Sequence, residues 1–183
     1  MIWWQIVLWC VFGLICGILF LHLVIIRIIR HIWKFPIPSW AIEFIEGPHR
    51  NRVQPPGQVI EWMGIKLGMR VLELGPGAGV FTFPASELAS EVHAIDIEPK
   101  VVDIIRKKNG RKGSEKHFPV VSDAHNIPYP DKSFDMIFHV ACLPEISNPV
   151  GVLKEVRRVL KDNGILLMES CSLIQIILLP ALL

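Results

Sequence analysis

The stretch Val71-Leu72-Glu73-Leu74-Gly75-Pro76-Gly77-Ala78-Gly79 sets the reading of the whole chain. Its first four residues are mostly apolar and lie between Gly68 and Gly75, as in a short strand buried on both faces. Three glycines at alternate positions follow, and Val80 to Leu88 then reads as a helix. Pro84 falls within its first turn or so, where a missing N–H is tolerated. A strand, a glycine turn and a helix make a nucleotide-binding opening. Glycine lets the backbone approach a ligand closely, and the first N–H groups of a helix are unpaired.

Working outward, Glu91 to Ile97 is the second strand and carries Asp96, 19 residues beyond Gly77. That is close to the spacing at which a carboxylate meets ribose hydroxyls. A dinucleotide fingerprint needs a third glycine at position 80, where Val80 stands, so the GxGxG spacing disfavours NAD and FAD. The lysine-bearing phosphate loop, GxxxxGK[ST], is absent. Pro99 to Asn109 carries Val101, Val102, Ile104 and Ile105 at helical spacing. Phe118 to Val121 reads as a third strand interrupted by Pro119, which assigns it to a sheet edge. Ser133 to Val140 is a fourth strand, Pro149 to Leu160 a helix stopped by Gly164, and Ile165 to Glu169 a fifth strand. Alternating strands and helices predict an α/β fold, a Rossmann-like doubly wound parallel sheet covered on both faces.

Of the 183 residues, 51% are apolar, and the mean hydropathy of +0.44 excludes a disordered chain. The excess is concentrated at the amino terminus. Residues 2–26 hold no charged side chain, and Gln5 and His22 are the polar interruptions. As a helix, this run spans about 37 Å against a hydrocarbon core of roughly 30 Å. Trp3, Trp4 and Trp9 lie near one end, with Trp33 and Trp40 beyond the other, as in an interfacial aromatic belt. A cleaved signal peptide fits less well, because no Lys or Arg precedes the run and no A-x-A site follows it. Arg27, Arg30 and Lys34 follow the span with no acid before residue 41, which predicts a single-pass anchor with the folded domain on the cytoplasmic side of a membrane. The predicted organisation is an anchor over 1–34, a linker over 35–58, a domain over 59–170 and a hydrophobic tail over 171–183. Pro36 and Pro38 end any helical continuation.

Beyond residue 40, sixteen basic residues face seventeen acidic ones, so the folded part has no electrostatic footprint for nucleic acid. The run Arg106-Lys107-Lys108 reads as a solvated helix end. Cys10, Cys16, Cys142 and Cys171 form no CxxC, which argues against a disulfide framework or structural zinc, and nothing requires a metal.

The motifs VLELGPGAG (71–79), HAIDIEP (93–99), VVSDAHNIPYPDKSFDMIF (120–138) and LKEVRRVLKDNGILLMES (153–170) occur in one order along the chain. Together they resemble class I S-adenosylmethionine-dependent methyltransferases, most closely the type 11 methyltransferase-domain group. The resemblance implies S-adenosyl-L-methionine as cofactor. It makes Glu73 the acid of the first motif and has Gly75, Gly77 and Gly79 cradle the methionine and ribose portions. It gives Asp96 the ribose hydroxyls, packs Ile97 on adenine, and sets Asp123 and Ala124 at the adenine edge, with Asp123 accepting from the exocyclic amine. Plainer roles stand beside these. Glu73 could cap or bond backbone, the glycines could make a turn, Asp96 could be a strand-end acid, and Asp123 could close an Asx-turn. The family continues past its fifth strand with another helix and two strands, whereas Ser170 to Leu183 stand in their place here. The apolar tail 173–179 is expected to cover that sheet edge or to lie on the bilayer, and an open edge would be an aggregation hazard.

Family members often meet their methyl acceptor in the loop after the fourth strand, which here contains His139, Cys142 and Glu145. His139 reads either as a base or as a structural strand-end histidine, Cys142 as a small buried residue, and His125 as packing beside the adenine motif. No catalytic base is assigned. The expected function is transfer of a methyl group to a small, hydrophobic or lipid-like acceptor by a membrane-anchored enzyme, with the bilayer as a partner. The alternatives are a protein methyltransferase and a cofactor-binding but inactive partner subunit or truncated paralogue.

Overall fold

The computed structural model describes residues 2–32, 52, 54–112, 116–140, 146, 148–170 and 173–178. The chain divides into two units, Met1–Pro36 and Ile37–Leu183. The described residues of the first form a helix, α1 (Ile2–Ile32). Its stretch Trp3–Ile25 is apolar on every side, with a mean hydropathy of 2.6 and no part buried. By length and composition, this stretch is long and apolar enough to cross a membrane.

Among the described residues of the second unit is α2 (Pro56–Met63), inside the region read from sequence as linker and domain start. Pro56 suits the first helical turn, and Gly64 ends the helix in the left-handed conformation at φ 71°. Val59, Ile60 and Met63 fall on one face and are buried.

The sheet is built from β1 (Arg70–Leu74), β2 (Glu91–Asp96), β3 (His117–Val121), β4 (Phe134–Val140), β5 (Leu160–Ser170) and β6 (Leu173–Leu178), in the order β3-β2-β1-β4-β5-β6. β1 to β5 are parallel, as expected. β3 is an edge strand, which is why Pro119 is accommodated without a lost ladder bond on both sides. The tail adds a sixth strand antiparallel to β5, from Ser170↔Leu173 to Ile165↔Leu178. Its backbone pairs the edge that five strands would have left open.

The intervening helices are α3 (Thr82–Leu88), α4 (Pro99–Lys112) and α5 (Pro149–Val159). On one face of the sheet Val71, Val92, Met136 and Phe138 pack with Val59, Ile60 and Met63 of α2 and Phe81 and Ala85 of α3. On the other, Leu72, Leu74, Ile95 and Ile137 pack with Val152, Val156 and Val159 of α5 and with Ile127. Among the described residues, no helix stands between β3 and β4. Instead, Arg158 of α5 binds the carbonyls of Ile127 and Tyr129 at 2.9 Å each, and Glu155 accepts from Ile127 N–H at 2.9 Å. A side-chain clamp on backbone groups thus holds the connection in place of a helix.

Candidate functional site

In an open parallel sheet, the crevice for a ligand lies at the carboxyl ends of the strands, where the strand order reverses. Here the reversal falls between β1 and β4. The glycine stretch leaves β1 at that point. Gly75, Gly77 and Gly79 have φ of 66°, 54° and 83°, values that L side chains rarely adopt. Gly75 N–H donates to Ile95 O at 3.0 Å, fastening the turn to β2, and Gly79 N–H closes on Pro76 O at 2.9 Å. At Gly79 a Cβ would come within 2.7 Å of the Phe83 ring, so the loop packs tightly against α3.

Glu73 is 1% exposed and points to the α3 side of β1. Thr82 Oγ1 donates to Glu73 Oε2 at 2.5 Å, so the two ends of the glycine turn are tied through side chains. The sequence does not single out Thr82. It lies nine residues from Glu73, and only the turn brings the pair together. Lys108 is a second addition: its Nζ donates to Ala78 O at 2.8 Å. It continues the inward stripe of Val101, Ile104 and Ile105 along α4, a spacing that separates it from a solvated basic run.

Asp96 ends β2 with its carboxylate half-buried. Glu98 N–H donates to its Oδ1 at 2.9 Å. Burial raises the carboxyl above the usual range, opposed by that bond. Ile97, next in the chain, is 56% exposed, an apolar side chain uncovered beside a carboxylate. Asp123 follows β3 and repeats the arrangement, with His125 N–H donating to Oδ1 at 2.9 Å in an Asx-turn. His125 Nδ1 lies 2.7 Å from the same oxygen and Nε2 3.0 Å from Asn148 O, so the protonated imidazole donates to both. These bonds hold the Asp123 carboxyl below its ordinary range and raise the imidazole of His125. Ala124 packs at the margin of the α5-side core. His125 therefore does more than fill space: it links the segment after β3 to the residue capping α5, where Asn148 Oδ1 accepts from Gly151 N–H at 3.2 Å.

His139 lies near the end of β4, level with Leu74 of β1 and Met168 of β5. It is 4% exposed, and burial pushes its imidazole down to about 4. Cys142 and Glu145 lie outside the described residues. A cavity of about 460 Å³ sits at the opposite, amino-terminal ends of the strands, lined by Met69, Lys132, Asp135 and Lys161 among others. Its charges are already paired, Lys161 with Asp135 at 2.6 Å and Lys132 with Asp162 at 2.8 Å, so it offers a ligand little.

The structure thus brings Glu73, Gly75, Gly77, Gly79, Asp96 and Ile97 to one end of β1 and β2, with Asp123 and Ala124 following the adjacent β3. Residues 72–168 match a family described as a methyltransferase domain. A demethylmenaquinone methyltransferase of Tropheryma whipplei is 32% identical over 124 residues, covering 68% of this chain and 48% of the relative. A ubiquinone/menaquinone biosynthesis C-methyltransferase of Vibrio campbellii is 34% identical over 119 residues, covering 62% and 45%. The chain spans about half the length of these curated relatives. Among solved structures, a SAM-dependent methyltransferase from Aquifex aeolicus superposes with a TM-score of 0.68 at 29% identity, covering 73% of this chain and 72% of its own.

Proposed function

Since the chain belongs to the methyltransferase-domain family, whose cofactor is S-adenosylmethionine, we propose that it methylates a small lipophilic acceptor of the hydroquinone type at a membrane surface. The observation that carries this reading is the grouping of the three positive-φ glycines, Asp96 and exposed Ile97 at the carboxyl ends of β1 and β2.

The residues present suit the cofactor. Asp96 Oδ1 is bound by Glu98 N–H, which sets the carboxylate's orientation and leaves Oδ2 for ribose hydroxyls. Ile97 offers an apolar side chain for one face of adenine, and Asp123 keeps Oδ2 for an exocyclic amine while His125 holds Oδ1. The glycine turn admits the close backbone approach that the methionine portion needs. When bound, S-adenosylmethionine supplies an electrophilic methyl group on a sulfonium. The work left to this chain is orientation of the acceptor and exclusion of water. Glu73, through Thr82, keeps the turn in its binding geometry rather than touching the reacting atoms.

The acceptor class rests on the named quinone methyltransferases and on α1. A helix with the hydropathy of Trp3–Ile25 suits a bilayer, and Arg27 and Arg30 beyond it favour the cytoplasmic side for the domain. Tethering would raise the domain's concentration near membrane-dissolved substrates. The test is calorimetric titration of the detergent-solubilised full chain with S-adenosylmethionine and S-adenosylhomocysteine, followed by radiolabelled methyl transfer to a prenylated naphthoquinol in proteoliposomes. Binding of both with transfer supports the reading. Binding without transfer to quinols, lipids or protein would assign a partner-subunit role, and absence of binding by folded protein would refute the site.

A further inference from the structure

Among the described residues, the buried side-chain nitrogens without a hydrogen-bond partner are Nδ1 and Nε2 of His139. Buried polar groups in folded proteins are almost always paired, so an orphan asks for an explanation. Packing does not supply one. Neighbouring positions of β4 are Ile137 and Phe138, both fully buried, and an apolar residue at 139 would fill the same layer without stranding two polar atoms.

Position supplies one. His139 stands level with Leu74, the last residue of β1 before the glycine turn, so it sits on the bank of the crevice opposite β2 and β3. Strand alternation turns it to the face of Ile137 and Leu74, the face covered by α5 and opposite to Glu73. Every residue assigned above to the cofactor belongs to β1, to β2 or to the segments that follow β1, β2 and β3. The β4 bank remains for the second substrate, and among the described residues of β4 near that end His139 is the polar side chain.

We propose that His139 binds an oxygen of the methyl acceptor, which supplies the hydrogen-bond partner the free protein lacks; this rests on the acceptor class proposed above. Burial keeps the imidazole neutral at physiological pH, so it carries one donor and one acceptor nitrogen. It therefore serves a hydroxyl or a carbonyl oxygen without placing a charge beside a sulfonium.

The test compares the full-length chain in micelles with His139→Leu and His139→Gln. His139→Leu is expected to melt above wild type without ligands, since it removes the orphaned atoms, and to bind S-adenosylmethionine as wild type does. Its methyl transfer to a prenylated naphthoquinol should fall about tenfold to a hundredfold, mostly through KM, with partial recovery in His139→Gln. In nitrogen-15 spectra of wild type with S-adenosylhomocysteine, the His139 signals should move when the naphthoquinol is added. A His139→Leu variant that turns over like wild type, or that melts below it, overturns the assignment and leaves the proposed function standing. A wild-type chain that binds the cofactor yet neither binds nor methylates the naphthoquinol overturns the acceptor class and the assignment together.

Discussion

Replacing Gly79 by alanine tests the glycine turn most directly, because two separate costs meet at that residue. Its φ of 83° is strained for any residue with a Cβ, at about 1–2 kcal/mol. The new methyl would also lie 2.7 Å from Phe83 Cε2 and 3.1 Å from Cδ2. That ring has little room to withdraw, since it is 9% exposed, packs with Ala94 and Ile105, and meets the His117 ring edge-on at 4.9 Å. Overpacking of this kind costs about 1–3 kcal/mol, for a total of about 2–5 kcal/mol. Gly64→Ala separates the terms, because Gly64 has a φ of 71° and nothing within 4 Å of an added Cβ. It should lose the conformational part alone. Gly110→Ala, late in α4 and facing open space at an ordinary φ, should gain up to about 1 kcal/mol. Urea unfolding of the full chain in micelles, followed by circular dichroism, would rank the three with unchanged slope. If Gly79→Ala loses no more than Gly64→Ala, the Phe83 ring yields, and the claim that the turn is locked against α3 is wrong.

The same geometry sets three further outcomes. Arg158→Met removes the donors to Ile127 O and Tyr129 O and should destabilise by about 1–3 kcal/mol while weakening cofactor affinity, read by thermal melting and calorimetry. Thr82→Val leaves the buried Glu73 carboxylate without this donor, and should weaken S-adenosylmethionine binding more than Thr82→Ser. For the His125–Asp123 pair the signs run oppositely. The raised imidazole contributes below its unfolded pKa and loses its contribution as pH climbs through the folded value. The depressed carboxyl contributes above its own and loses that as pH falls. Thermal stability should therefore decline on the alkaline side in wild type and be flat there in His125→Gln, by under about 1 kcal/mol because both side chains are partly solvated.

The parallel sheet was legible because apolar stretches such as 71–74 and 165–168 lie between breakers and 99–109 carries helical spacing, although β5 begins at Leu160, which the sequence assigned to the preceding helix. Pro119 even placed β3 at an edge before any pairing was known. α2 was less visible. Its eight residues begin at Pro56 in a stretch punctuated by Pro55 and Gly57, and its Val59, Ile60 and Met63 gain meaning only against the sheet. The tail's role as β6 was open for a related reason, since an apolar run of six serves a strand or a bilayer surface equally well. Asp96 could be named from its spacing, and Glu73 and Asp123 from the resemblance of their motifs, but their partners could not. Thr82, Lys108 and Asn148 are brought to the site by a turn, a helix stripe and a cap, and these exist only once the chain has folded.

The two aspartates also show that the plain and the functional readings of such residues are not rivals. Asp96 ends β2 and Asp123 lies two residues beyond β3, and each gives one oxygen to the N–H two residues on. That bond is the Asx-turn expected of a strand-end acid. It also fixes the rotation of the carboxylate before any ligand arrives, which lowers the ordering cost of binding at the second oxygen. Asp96→Asn keeps an oxygen for Glu98 N–H, so the turn should persist, while the second oxygen becomes an amide donor. If Asp96 holds ribose hydroxyls, this variant should melt like wild type yet bind S-adenosylmethionine about tenfold to a hundredfold more weakly. Equal binding would show that the turn was its whole purpose.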